Sequence, residues 1–152
     1  MDLILWRHAE AEEVAGLDDL GRPLTAKGER QARRVAAWLN RHIAHSTRVL
    51  ASPALRCQQT ASALERSFRT ADALAPGATP DALLAAARWP SSGEPVLIVG
   101  HQPTLGQVAA FLVCGEAQPW SIRKGGLWWL RDRDREGAAQ VVVHAVIAPD
   151  LA

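Results

Sequence analysis

Apolar positions along the chain fall into two kinds of run. Residues 3–6, 48–51 and 96–99 are brief, bounded by polar or turn residues, and rich in Val, Ile and Leu, as strands buried on both faces should be. Longer stretches show helical spacing instead. Ala32, Val35, Ala36, Leu39 and Ile43 mark a helix over about residues 26–44, with Thr25 placed to cap it. Its opposite side carries Arg30, Arg34 and Arg41, which read first as a solvated face and second as a docking surface for an acidic partner. A second helix is expected after Ser52-Pro53, with Ser52 as cap, Pro53 in the first turn, and Cys57, Ala61, Leu64 and Phe68 along one face. Residues 70–80 read as a linker, followed by a short helix through Leu83, Leu84 and Ala87 that Pro90 ends. A fourth helix is expected from Pro103 to near Gly115, then strands over 126–131 and 140–147 joined by a turn over 132–137.

The order of elements is an α/β alternation closed by an antiparallel hairpin, and 152 residues at 48% hydrophobic suit one domain spanning 1–152. Seventeen basic residues nearly balance sixteen acidic ones, leaving +1, so wholesale binding of a nucleic acid backbone is excluded and any anion site is local. The apolar runs are far shorter than the roughly 20 residues of a membrane span, and residues 3–6 are too short for a secretory signal, so a cytoplasmic protein is expected. Cys57 and Cys114 fit no zinc or redox spacing and are expected as packed thiols in a reducing compartment. Six tryptophans without a tyrosine read as core and hairpin packing rather than a stacking platform, with Trp38 near the apolar face of the first helix and Trp128-Trp129 inside a strand.

Ligands of open α/β sheets bind beyond the carboxyl ends of the strands, which directs attention to the residues that follow each buried run. These are Arg7 and His8; Ser52, Pro53 and, one turn on, Arg56; and Gly100, His101 and Gln102. Two guanidinium groups, two imidazoles and nearby helix N-termini form a set suited to phosphate, since arginine offers planar pairs of donors and helix starts offer unpaired N–H groups. Like-charge repulsion from the arginines would hold His8 unprotonated, leaving a ring nitrogen as nucleophile. No third and fourth ligand accompanies the two histidines, so neither a metal nor a cofactor is expected.

The motifs Leu3-Ile4-Leu5-Trp6-Arg7-His8-Ala9, Arg22-Pro23-Leu24-Thr25 with Gly28, Ser52 through Thr60, and Val99-Gly100-His101-Gln102-Pro103 resemble, in that order, those of the histidine phosphatase superfamily. The short chain and Leu74-Ala75-Pro76-Gly77-Ala78 resemble its SixA-like phosphohistidine phosphatase branch, and the likeness runs over about residues 2–113. It implies a three-layer α/β/α sandwich with a mostly parallel central sheet and a C-terminal antiparallel hairpin. It also implies His8 as the transiently phosphorylated nucleophile, with Arg7, Arg56 and His101 holding the transferring phosphoryl and Ser52 beside them. Two departures stand out. Ala9 replaces the glycine that usually follows the motif histidine, which requires a loop without positive φ there. The acid that larger members place in an insertion has no match in residues 70–95, leaving Asp18, Asp19 and Glu10 on the loop after His8 as candidate acids.

A site without that acid should favour P–N over P–O bonds, because an alkoxide needs a proton to depart whereas the imidazole of phosphohistidine leaves more readily. The expected function is hydrolysis of phosphohistidine on a phosphorelay or phosphotransfer protein through phospho-His8, by a metal-independent enzyme acting as a monomer in signal transduction. Two alternatives stand beside it: a broad phosphatase for small phosphate esters, and a non-catalytic phosphate-recognition module. Neither nucleic acid nor membrane is expected as a partner. An ordinary imidazole nucleophile would also make turnover fall between pH 8 and 5.

Overall fold

The computed structural model describes residues 1–135 and 138–152. Strands β1 (Asp2–Arg7), β2 (Arg48–Ala51), β3 (Arg69–Thr70), β4 (Val96–Gly100), β5 (Leu127–Arg135) and β6 (Ala138–Ile147) form one sheet in the order β3-β2-β4-β1-β5-β6. β1 to β4 pair in parallel, while β5 runs antiparallel to both β1 and β6. The helices are α1 (Ala26–His42), α2 (Leu55–Ser62), α3 (Pro80–Ala87) and α4 (Thr104–Cys114).

Strand alternation sorts the side chains into layers. Ile4, Trp6, Val49, Ala51, Leu97 and Val99 face α1 and α2, where they meet Val35, Leu39, Cys57 and Ala61. Leu3, Leu5, Leu50, Val96 and Ile98 face the other way onto Leu83, Leu105 and Val108 of α3 and α4. The chain passes outward from β1 to β2 and β3 through α1 and α2, then returns to β4 through α3. With right-handed crossovers, outward and return passages must cover opposite faces, and the three-layer sandwich follows. β4 thereby inserts between β1 and β2, so the carboxyl ends of these three strands lie side by side.

The helices start and stop largely for local reasons. Thr25 Oγ1 accepts from Gly28 N at 2.9 Å and caps α1, which ends at His42. Gly115, at φ 86°, ends α4 in the left-handed region. α2 departs from expectation: its N-cap is Ala54, its last residue is Ser62, and Phe68 lies outside it. The chain must turn back after one short helix to lay Arg69–Thr70 beside Leu50 and Ala51, and Asn40 Nδ2 takes up the Leu64 carbonyl at 3.0 Å where the helix has ended. The expected 70–80 linker holds the end of β3 and a 3-10 turn at Asp72–Leu74. The strands of the hairpin run further than expected, with β5 extending through Arg135; residues 136–137 of the expected turn lie outside the described residues. Cys57 is buried, whereas Cys114 is exposed, since it sits on the outer side of the last turn of α4. The tryptophans pack as expected: Trp38 meets Trp129 edge-on at 6.1 Å, and Trp120 lies 5.4 Å from Trp128.

Candidate active site

Arg7 and His8 leave β1, Ser52 follows β2, and His101 follows β4, so the switch in strand order brings them to one rim. Arg56 joins them from the first turn of α2. Together with Arg22, Gln102, Lys124, Glu13 and Pro76, the four residues Arg7, His8, Arg56 and His101 line a pocket of about 250 Å³. Ser52 stands behind His101 as its hydrogen-bond partner rather than lining the pocket. It does not cap α2 with its side chain as expected, because its Oγ is engaged with His101 Nε2 at 2.7 Å and with Ala54 N at 3.2 Å.

His8 is 8% exposed, and its Nδ1 lies 2.8 Å from the Ala9 carbonyl. A carbonyl oxygen only accepts, so Nδ1 carries the proton and Nε2 keeps its lone pair. Its backbone is fixed on both sides, with His8 N donating to Gly100 O at 3.1 Å and Gly125 N donating to His8 O at 3.0 Å. Burial above all pulls the His8 pKa down to about 3; the hydrogen bond to the Ala9 carbonyl opposes it, and the charges of His101, Arg56 and Arg7 each add a smaller downward push. Charge repulsion, the cause expected from sequence, is thus secondary to desolvation.

His101 is 4% exposed and its ring centre lies 5.2 Å from that of His8. Its Nδ1 sits 3.4 Å from Arg56 Nη2, which can only donate, so neutral His101 carries its proton on Nε2, toward Ser52. Burial and then Arg56 lower its pKa to about 4. Cys57 Sγ touches the same ring at 3.5 Å, and burial pushes that thiol up to about 12, so it is an inert neighbour.

The two motif arginines are incompletely used. Arg7 Nη1 donates to Ile122 O at 2.9 Å, and Arg56 donates to Asp19 O at 2.7 Å and to Asp19 Oδ2 at 3.1 Å. Nε of each is buried without an acceptor. Arg7 and Arg56 nonetheless bring two guanidinium groups to one cationic pocket, a setting suited to an anion.

Ala9 is buried, and among the described residues only Glu65 and Arg88 have positive φ without being glycine, so Ala9 adopts an ordinary backbone conformation. Its methyl packs with Leu24 and Ala32, and its N donates to Thr60 Oγ1 at 3.1 Å. Gly28 is the glycine this loop does require: a Cβ there would overlap the Glu10 carbonyl, which lies against the first turn of α1.

The candidate acids part company. Asp18 is exposed and caps a 3-10 turn (Asp19–Gly21) without a side-chain hydrogen bond. Asp19 bonds Arg56 and Arg22; partial burial opposes ionisation, but these two guanidinium groups overcome it and hold the carboxyl below its ordinary range, so it is charged and has no proton to give. Glu10 accepts from Thr25 Oγ1 at 2.8 Å and lines a neighbouring groove instead. The carboxylate that does line the pocket, among the described residues, is the exposed Glu13. Glu13, Arg22, Gln102 and Lys124 had no assigned place in the site from sequence. Arg22 and Gln102 lie within the recognised motifs, which was a usable signal; nothing local marks Glu13 or Lys124.

Comparison with known proteins shows which family the chain is similar to. The family model for the histidine phosphatase superfamily (branch 1) matches residues 3–77. An uncharacterized protein of Picosynechococcus sp. is 35% identical over 153 residues, covering 95% of this chain and 90% of its own. The phosphohistidine phosphatase SixA of Escherichia coli is 33% identical over 128 residues, 78% of each chain. The structure of the protein histidine phosphatase SixA complexed with tungstate superposes with a TM-score of 0.83 at 26% identity, over 99% of this chain and 98% of that one.

Proposed function

The chain belongs to the histidine phosphatase superfamily, in its SixA-like branch, and on that premise we propose that it hydrolyses phosphohistidine on phosphotransfer proteins. That it is a phosphatase follows from the family. The narrower reading rests chiefly on one observation: a neutral His8 with Nε2 unprotonated sits in a cationic pocket where Asp19 is ion-paired, Asp18 and Glu10 lie outside, and the one lining carboxylate among the described residues, Glu13, is exposed at the rim.

In this mechanism His8 Nε2 attacks phosphorus in line, forming an N–P bond as the P–N bond to the substrate imidazole breaks. The departing imidazole takes a proton from water. Arg7, Arg56, Arg22 and Lys124 stabilise the equatorial oxygens, which is most of what phosphoryl transfer asks of a protein. A dianion beside His101 Nδ1 raises that pKa, so the ring takes up a proton and becomes a donor to the phosphoryl group. Water then attacks phospho-His8, releasing inorganic phosphate and restoring the neutral ring. No step calls on a metal, and full turnover in the presence of a chelator is expected. We assign the enzyme to the cytoplasm; no helix among the described residues is long and apolar enough to cross a membrane.

The test is turnover of a phosphohistidine protein and of a small phosphoramidate beside an alkyl phosphate. Strong preference for the P–N substrates, with acid-labile label trapped on His8, supports the reading; equal turnover of the alkyl phosphate overturns it. Glu13 favours a second reading, an ester phosphatase with that rim carboxylate as acid. On that reading Glu13→Gln loses about 100-fold or more on the alkyl phosphate and nothing on the phosphoramidate.

A further inference from the structure

Beside the catalytic pocket lies a larger groove of about 770 Å³ between α1 and residues 121–124. It is continuous with the pocket, since Arg7 and Lys124 line both. Lys27, Arg30 and Arg34 supply one wall at helical spacing, on the solvent side of the same helix that buries Ala32, Val35 and Leu39. Arg123 and Lys124 supply the other, and all five are exposed. Counting Arg7, six cations meet two carboxylates, Glu10 and Asp150, in a chain whose net charge is only +1. One carboxylate is engaged with Thr25, and the other lies 4.0 Å from Arg123. Arg41, part of the stripe noted from sequence, does not line the groove; Lys27 takes its place.

We propose that this groove docks an acidic face of the phosphohistidine-bearing protein, positioning its phosphohistidine over His8. The proposal rests on the function proposed above and names how the substrate is recognised. The reaction needs only the pocket, so the four exposed cations beyond it, Lys27, Arg30, Arg34 and Arg123, serve something larger than a phosphoryl group. Charge of one sign next to a site raises the encounter rate of an oppositely charged partner and orients it, an effect screened by salt. An acidic protein is favoured over a nucleic acid because no aromatic side chain lines the groove to stack a base.

Two synthetic peptides, each with one phosphohistidine, test this: one flanked by Asp and Glu, the other by Ser and Gln. Wild-type enzyme at low salt is expected to favour the acidic peptide by about 10-fold or more in kcat/KM, through KM, and to lose the preference in 0.5 M salt. The triple variant Lys27→Glu, Arg30→Glu, Arg34→Glu should lose the preference while hydrolysing the neutral peptide and a small phosphoramidate within about two-fold of wild type, which also reports that it is folded. Equal rates on the two peptides, or equal losses on all three substrates in the variant, overturn the proposal. Anisotropy with a labelled, unphosphorylated Asp/Glu peptide reads the groove without turnover: binding that the triple variant loses, in an enzyme inactive on every phosphohistidine substrate, would sink the proposed reaction and keep the groove. Tighter binding of an oligonucleotide of equal charge would assign the groove to nucleic acid and overturn the docking proposal.

Discussion

Two arginine–aspartate pairs in this molecule use the same side chains to different ends. Arg131 grips Asp2 through Nε at 2.7 Å and Nη2 at 3.0 Å, joining β5 to β1 where the two residues face each other in the ladder. Both carboxylate oxygens are taken. Arg56 is far more deeply buried, its side chain only 4% exposed, yet its partner Asp19 is 54% exposed and leaves its Nε unpaired. The first pair ties two strands together and lies away from the pocket. The second is held from one side by a carboxylate already half in water, which can give way to a phosphoryl group without stranding a buried charge. What separates the two pairs is that Arg56 lines the pocket beside His8 and that its partner is cheap to displace, not residue type.

The largest test of that contrast removes what the open pair serves. His8→Ala should abolish label trapping and lower turnover by at least about 10,000-fold, because no other group can take the phosphoryl; stopped assays with acid-labile phosphate check it. Arg56→Ala should cost on the order of 100 to 1,000-fold in kcat. Arg131→Ala should leave kcat untouched and remove about 0.2–1 kcal/mol of stability, read by urea unfolding, as befits a partly exposed pair. Comparable kinetic losses in the two arginine variants would erase the distinction. Asp19→Ala should lower KM for a phosphoramidate by roughly two- to five-fold, since the carboxylate competes with the phosphoryl for Arg56. A kcat loss of about 100-fold would instead make Asp19 the acid.

The smallest expected effect concerns pH. Because burial pulls the His8 pKa to about 3, kcat/KM corrected for substrate ionisation should stay flat from pH 8 to 5 and fall only below that. This reverses the expectation drawn from an ordinary imidazole. Stability behaves differently: His8 and His101 stay neutral in the folded state but take up protons when unfolded below about pH 6.5. Their depressed values therefore withdraw stability as pH falls from about 6.5 toward 3–4. A melting temperature that declines while kcat/KM holds level would separate the two.

Much of this was legible in the chain. Buried strands, the capped α1 and the four motifs announce themselves through spacing, and the switch-point rule gathers Arg7, His8, Arg56 and His101 without coordinates. β3 was invisible because two exposed residues carry no periodicity; only its pairing with Leu50 and Ala51 makes it a strand. Asp19 could be named as a loop carboxylate, but whether it gives a proton or neutralises an arginine depends on a contact 37 residues away. Glu13 and Lys124 reach the pocket through loop paths that no local pattern encodes.

Residues 122–126 have a consequence of their own. Ile122 O holds the Arg7 guanidinium at 2.9 Å, Gly126 O receives Arg7 N at 2.9 Å, Gly125 N holds His8 O at 3.0 Å, and Gly125 O receives Trp6 Nε1 at 2.9 Å. Gly125 turns at φ 73°, a conformation suited to glycine. The same short loop presents Arg123 and Lys124 to the groove. On the proposed function, substrate choice and the alignment of the nucleophile share one stretch of main chain, and evolution cannot retune the first through this segment without also testing the second.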